Sequence, residues 1–425
     1  MKLYRYPEKN DWPALLKRPF RTDDSVEKKV KKILRAVKKE GDKALRRYTR
    51  QLDGVKLSTV TVTAAEFRKA ASGLEEELKT AILQAKKNIE TFHRRQLEEG
   101  HKTETMPGVT CWRKPVAIEK VGLYIPGGTA PLFSTILMLA VPATLAGCPE
   151  ITLCTPPARD GSIHPAILYT ANLCGITRVC KAGGAQAIGA MAYGTASVPR
   201  VQKIFGPGNQ YVTIAKQLVQ QEGIAIDMPA GPSELLVIAD ETAEPAFTAA
   251  DLLSQAEHGP DSQVMLVTTD PDLITSVNAE LEKQLDGLPR KDIAQKALKK
   301  SRIILLKSAE EAISFSNSYA PEHLILACRH AAVLAEKVTA AGSVFIGHYS
   351  PEAAGDYASG TNHTLPTNGY AAVFSGVSTD SFVKKITFQQ LSGEGLKNIS
   401  VTVMKMAEAE GLAAHRNAVA IRLKK

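Results

Sequence analysis

No CxxC pair occurs among the six cysteines of this 425-residue chain (Cys111, Cys148, Cys154, Cys174, Cys180 and Cys328). The intervals Cys148/Cys154 and Cys174/Cys180 match no common zinc or haem spacing. Cysteines placed in apolar runs read instead as small buried hydrophobes in a reduced, cytoplasmic setting. The N-terminal Met1-Lys-Leu-Tyr-Arg-Tyr-Pro lacks the apolar core of a secretory signal. The longest apolar stretch, residues 131–147, is broken by Pro142 and carries Ser134, Thr135 and Thr144. It is short for a membrane span and reads as a buried helix, so a soluble protein with no membrane partner is expected. There is no HExxH, no Lys-Ser/Thr after the glycine-rich segments 184–189 and 342–347, no fixed-period repeat and no low-complexity tract.

One sign of charge is in modest excess, with 53 basic against 44 acidic side chains and a net charge of +9. The densest basic stretch, Lys28 to Arg50, has Val26, Val30, Ile33, Leu34 and Val37 recurring at helical spacing. Its lysines are therefore the wet face of a helix with a buried stripe. A nucleic-acid-binding protein is the rival class such charge raises. No aromatic platform or RNP-like segment accompanies it, so no nucleic-acid partner is expected. A mild positive field would still help to attract a dinucleotide phosphate.

The length exceeds what one core supports, and helical and strand-like stretches alternate. Charged helices are predicted near 24–50 and 74–99, with an alternating strand at Val60-Thr-Val-Thr between them and a capping box at Thr63/Glu66. From Val121 charge falls, glycine rises, and strand–loop–helix units repeat to about residue 347. That rhythm predicts an α/β fold with two Rossmann-like, doubly wound parallel sheets, one inserted in the other. The expected domains are 21–123 with 234–378, an inserted domain at 124–233, a small helical region at 1–20 with 379–402, and a C-terminal tail at 403–425. After Asp380 the chain is expected to turn helical again. The tail is too small for a core of its own and must dock on its own body or on a partner.

Two glycine loops, Gly122-Leu-Tyr-Ile-Pro-Gly-Gly-Thr and Phe205-Gly-Pro-Gly-Asn-Gln-Tyr, each end a strand ahead of a helix, where backbone amides can approach an anion. Neither is a standard fingerprint, since Tyr211 stands where the dinucleotide motif wants a third glycine. Of nine histidines, His93, His101, His164 and His330 lie in charged or helix-cap sequence and are expected at the surface; His348 has no assigned role. The other four have unusual contexts. Gln255 and His258, three apart at a helix end, can converge on one point. Pro321-Glu322-His323 puts a carboxylate beside an imidazole at an element junction, as general acid–base chemistry needs. Asp356-Tyr-Ala-Ser-Gly-Thr-Asn-His363 is a polar loop without a packing role, and Glu410-Gly-Leu-Ala-Ala-His415 lies in the tail. Spacing alone leaves both a metal site and ordinary hydrogen-bonding histidines open.

Taken together, the stretches Val121-Gly-Leu-Tyr-Ile-Pro-Gly-Gly-Thr-Ala-Pro-Leu, Lys181-Ala-Gly-Gly-Ala-Gln-Ala-Ile-Gly, Phe205-Gly-Pro-Gly-Asn-Gln-Tyr-Val, Asp227-Met-Pro-Ala-Gly-Pro-Ser-Glu, Leu252-Leu-Ser-Gln-Ala-Glu-His-Gly, Tyr319-Ala-Pro-Glu-His-Leu and Gly355-Asp-Tyr-Ala-Ser-Gly-Thr-Asn-His closely resemble the histidinol dehydrogenases, in that family's order. The resemblance implies oxidation of L-histidinol through L-histidinal to L-histidine with two NAD, at the end of histidine biosynthesis. It implies one zinc ion per subunit on Gln255, His258, Asp356 and His415. His323 would be the base and Glu322 the residue that activates water. Ser233, His363 and Glu410 would hold substrate alongside the zinc ligands and His323, and Tyr124, Gln186 and Asn209 would contact NAD. It further implies a homodimer in which each tail completes the other subunit's site. A paralogue acting on another amino alcohol or a sulfonate diol would use the same base and metal.

Overall fold

The computed structural model describes residues 1–18, 24–127, 130–229 and 231–424. Among these residues are β1 (Lys2–Arg5), β2 (Lys102–Met106), β3 (Val109–Ala117), β4 (Lys120–Tyr124), β5 (Glu150–Thr155), β6 (Arg178–Lys181), β7 (Lys203–Phe205), β8 (Ala225–Ile226), β9 (Glu234–Ala239), β10 (Gln263–Thr268), β11 (Arg302–Leu305), β12 (His323–Ala327), β13 (Ser343–Ile346) and β14 (Val383–Leu391). Buried on both faces, β9 and β10 are continuous apolar runs rather than alternating ones, as parallel sheets between helical layers require.

A five-stranded sheet has the order β6-β5-β4-β7-β8, and a six-stranded sheet the order β1-β11-β10-β9-β12-β13. Every pairing in both is parallel. Counted from its own first strand, β4, the five-stranded sheet runs 3-2-1-4-5. The six-stranded sheet does the same from β9, with β1 added at its edge. Both are doubly wound in the Rossmann sense, with strand order reversing between β4 and β7 in one and between β9 and β12 in the other. The expected α/β class with two such sheets is borne out.

The segments are distributed differently from expectation. The helices Asp24–Glu40 and Asp42–Tyr48 bury Val26, Val30, Leu34, Val37 and Leu45 with residues of the helices Gly184–Tyr193 and Gln210–Gln221. Ile82, Ala85 and Ile89 of helix Glu76–Arg94 join the core on the other face of the same sheet. Residues 24–94 thus cover the five-stranded sheet rather than joining 234–378. Because β1 pairs with β11, the first residues belong to the six-stranded sheet and not to a separate helical region. The insertion is real but begins before residue 124.

Two further expectations are corrected. Residues 383–391 form a strand, not a helix: β14 pairs antiparallel with β3 along its whole length, and β2 completes a third, three-stranded sheet. Trp112 and Phe388 stack across it with centroids 5.4 Å apart. His93 is fully buried rather than at the surface. It follows Ile82, Ala85 and Ile89 at three- and four-residue steps, so it lies on the buried stripe, with Nδ1 2.8 Å from Gln96 Oε1.

Other readings hold. The helix Phe133–Leu145 contains Pro142 and is buried from Ser134 to Ala143, and no described helix is long and apolar enough to cross a membrane. All six cysteines are unpaired, and all but Cys111 are buried. The capping box is formed, with Thr63 N donating to Glu66 Oε2 (2.8 Å) and Glu66 N to Thr63 Oγ1 (3.3 Å). Thr63→Ala is expected to cost about 1 kcal/mol in urea unfolding with no change in m-value.

Candidate active site

The two sheets meet at ends of opposite polarity. Pro126, Pro207, Gly208 and Asn209 follow the carboxyl ends of β4 and β7, where doubly wound sheets bind their ligands. Facing them are the amino ends of the six-stranded sheet: Ser233 before β9, Ser262 before β10, and Glu322 and His323 entering β12. Between them lies a cavity of about 570 Å³, also lined by Gln255, His258, Asp356 and His363. A second cavity, of about 720 Å³, opens at the carboxyl ends of β4, β5 and β6 and is lined by Tyr124, Gln186, Lys29, Lys32 and Arg47. Asn209 lines both.

The glycine loop after β7 is fixed by a buried ion pair. Asp227 is paired with Lys216; Asp227 Oδ2 accepts from Gly206 N (2.8 Å) and Lys216 Nζ donates to Gly206 O (2.9 Å). Gly206 has φ 124°, and a Cβ there would collide with the Tyr124 carbonyl, so only glycine lets β7 pass β4 so closely. Asn209 caps the next helix, accepting from Tyr211 N (3.0 Å) and Val212 N (3.3 Å). The Tyr124 hydroxyl accepts from Gly184 N (3.0 Å), while Gln186 Oε1 is buried without a hydrogen-bond partner.

Glu322 and His323 are both buried. Glu322 Oε2 accepts from Glu234 N (2.8 Å), and His323 Nδ1 lies 3.2 Å from Glu234 O. A carbonyl can only accept, so Nδ1 carries the proton and Nε2 of the neutral ring is left with its lone pair. Nε2 has no hydrogen-bond partner and stands 3.7 Å from Asp356 Oδ1, itself buried and unpartnered. Burial pushes Glu322 up to about 8. Burial works against charge on His323 too, but the carboxylates of Glu322, Glu352 and Asp356 prevail and push it up to about 10, so the neutral ring with its free Nε2 is the form favoured once a positive charge beside those carboxylates offsets them. Burial likewise opposes ionisation of Asp356, yet the nearby imidazoles of His323, His363 and His258 hold it below the usual carboxylate range.

His258, Glu352 and Asp356 place ligand atoms within 4.8 Å of one another. Gln255, at the end of helix Pro245–Ala256, is best oriented with its amide nitrogen toward Glu352, donating to both carboxylate oxygens (3.1 Å to Oε2). The opposite end of the amide is then 3.5 Å from Glu322 Oε2. His363 is held by the Asp356 carbonyl (2.8 Å from Nδ1) and by Thr135 Oγ1 (3.1 Å from Nε2). Sequence reasoning missed Glu352. Its signal was its place four residues before Asp356, on the same face of helix Glu352–Tyr357.

Gln255, His258, Asp356, Glu322, His323, Ser233 and His363 are thus brought to one cavity, and Tyr124 and Gln186 to the other. Glu410 and His415 are not. Both are exposed; His415 lies in helix Ala413–Ala420, which packs chiefly on helix Gly393–Ala409 and on the final turn, residues 421–424.

Residues 16–423 match the sequence model of a family described as histidinol dehydrogenase. A histidinol dehydrogenase of Bacteroides thetaiotaomicron is 59% identical over 423 residues, covering 100% of this chain and 99% of the relative. The crystal structure of histidinol dehydrogenase from Elizabethkingia anophelis superposes with a TM-score of 0.98 at 56% identity, covering 100% of this chain and 98% of that one. An acetylating aldehyde dehydrogenase from Geobacillus thermoglucosidasius shares the fold at 14% identity, with a TM-score of 0.51 over 89% of this chain and 94% of its own.

Proposed function

The chain belongs to the histidinol dehydrogenase family, and from that membership we propose that it oxidises L-histidinol through L-histidinal to L-histidine, reducing two NAD in turn and using one zinc ion per subunit. The observation that carries this reading is the meeting of an unpartnered His323 Nε2 and a buried Glu322 with His258 and Asp356 in a cavity that shares Asn209 with a dinucleotide-sized neighbour.

The donor set suits a borderline divalent cation: an imidazole, a carboxylate with a bare buried oxygen, and an amide set by a neighbouring carboxylate. Gln255, His258 and Asp356 would hold it, with His415 of a second copy as fourth ligand. When bound, the ion supplies a template for the substrate's amine and imidazole nitrogens and a positive charge that offsets the carboxylates around His323. His323 Nε2 then takes the alcohol proton as the carbinol hydride passes to the first NAD. Glu322 takes a proton from the water that adds to the aldehyde, and the hydrate's hydride passes to the second NAD. Water supplies the second carboxylate oxygen, so the sum is one alcohol, one water and two NAD+ giving one carboxylate, two NADH and three protons. Ser233, His363 and Glu410 orient the substrate, and Tyr124, Gln186 and Asn209 the cofactor.

The tail supports a homodimer with shared sites. With the helix Gly393–Ala409 that leads into it, it leaves Val401, Met406, Leu412 and Ile421 exposed (67%, 60%, 42% and 56%), and neither Glu410 nor His415 lines its own chain's cavity. A second copy would cover the apolar residues and complete the ligand set.

The direct test is NADH yield from limiting histidinol. Two NADH per histidinol are expected, with simple amino alcohols turned over far more slowly; one NADH, or none, would refute the four-electron reading. Glu322→Gln is expected to form the first NADH readily and slow the second by about 10²-fold. Trapping the aldehyde with a hydrazine reagent would show it.

A further inference from the structure

Neither the base nor the water-activating carboxylate is held in place by its own strand alone. Both lean on the backbone of one residue, Glu234, through its N–H to Glu322 (2.8 Å) and its C=O at His323 Nδ1 (3.2 Å). The position of that residue is in turn set from outside its sheet. The Arg18 guanidinium grips the Glu234 carboxylate with two bonds, Nε to Oε1 (2.5 Å) and Nη2 to Oε2 (3.0 Å). The same Nη2 donates to the carbonyls of Tyr319 (2.6 Å) and Ala320 (3.3 Å), and the guanidinium lies 4.0 Å over the Tyr319 ring.

Tyr319 and Ala320 lead through Pro321 directly into Glu322 and His323, and Ala320 has φ 50°, a left-handed conformation that a residue with a Cβ adopts only when held. One planar cation therefore ties the entrance of β9 to the entrance of β12. The pair is largely withdrawn from solvent, with side-chain exposures of 14% and 4%, so its geometry is not left to a mobile surface contact. The sequence explains why arginine stands there. Four acceptor atoms on two strand entrances must be reached from one plane, which the compact ammonium of lysine cannot do.

We propose that Arg18 is a positioning residue for the reaction: by clamping Glu234 against the 319–320 carbonyls it fixes the Nδ1–H form of His323 and the orientation of the Glu322 carboxylate. This inference rests on the functional reading above. A displacement of about 1 Å in such a pair costs on the order of 10²-fold in rate.

The test is Arg18→Ala, assayed for histidinol-dependent NADH formation with and without added guanidinium chloride. The expected result is a kcat about 10²-fold lower, KM for NAD and zinc content near the parent values, and partial recovery of kcat by guanidinium far below denaturing concentration. His323→Gln should gain nothing from the same addition. Removing Arg18 strands a buried carboxylate and can unfold the chain, so Arg18→Ala/Glu234→Gln, which strands no charge, is measured beside it and is expected to fold normally yet remain slow. Either variant folded with kcat within about twofold of the parent, or a loss of rate that follows unfolding and is untouched by guanidinium, overturns the inference. A parent enzyme that forms no NADH from histidinol overturns the functional reading and this inference with it.

Discussion

His323→Gln should lower kcat for histidinol oxidation by about 10³-fold, within the range a positioned general base contributes, while leaving zinc content and KM for NAD nearly unchanged. Glutamine keeps much of the ring's volume and its amide can still donate to the Glu234 carbonyl, but it has no nitrogen lone pair to take a proton. The imidazole has one: with Nδ1 engaged at 3.2 Å by Glu234 O, Nε2 faces Asp356 and accepts no hydrogen bond. Of the other imidazoles lining this cavity, His363 has both ring nitrogens engaged, and His258 lies in the cluster with Asp356 and Glu352 that would hold the ion. Steady-state NADH formation measures the effect. A loss of less than tenfold would show that another group, or water, takes the proton.

The second large effect is expected from Asp356→Ala. Asp356 contributes a buried, unpartnered Oδ1 to the cluster with His258 and Glu352, and its ionisation is favoured by three imidazoles. Loss of an outer-shell partner alone costs about 10- to 100-fold in metal affinity, so loss of this carboxylate should weaken zinc binding by at least about 10²-fold. Activity should vanish in chelator-buffered assays and return in part at high zinc. Metal analysis after dialysis against a graded chelator is the readout. Stoichiometric zinc retained by the variant under conditions that hold the parent's zinc would remove Asp356 from the ligand set and point to Glu352, whose carboxylate also lies within 4.8 Å of His258.

Local pattern made most of the architecture legible. The apolar runs of β9 and β10 coincide with the predicted 234–239 and 263–268, and the helix after each is amphipathic in its own sequence. β14 was not legible, because Val-Lys-Lys-Ile-Thr-Phe-Gln-Gln-Leu carries no strong period of either kind and its partner β3 lies more than two hundred residues away in the chain. His93 was misread from its charged neighbours, although its spacing from Ile89 and Ala85 placed it inside. At the site, Glu322, His323, Gln255, His258 and Asp356 stood out through composition and family likeness. Arg18 could not, since its role exists only once Glu234 and Tyr319, 216 and 301 residues away, have been folded against it.

The opposed polarity of the two sheets has a bearing on redesign. On the six-stranded sheet, the segments that run into β9, β10 and β12, at 231–233, 257–262 and 320–322, bring Ser233, His258 and Glu322 to the cavity. Those that leave β9 and β10, at 240–244 and 269–270, do not line the cavity. Libraries aimed at new alcohols should therefore randomise the inbound connections, and stabilising changes can be confined to the segments leaving β9 and β10, since the one leaving β13 brings Asp356 and His363 to the cavity. On the five-stranded sheet the prescription reverses, and cofactor preference should be sought in the turns that follow each strand.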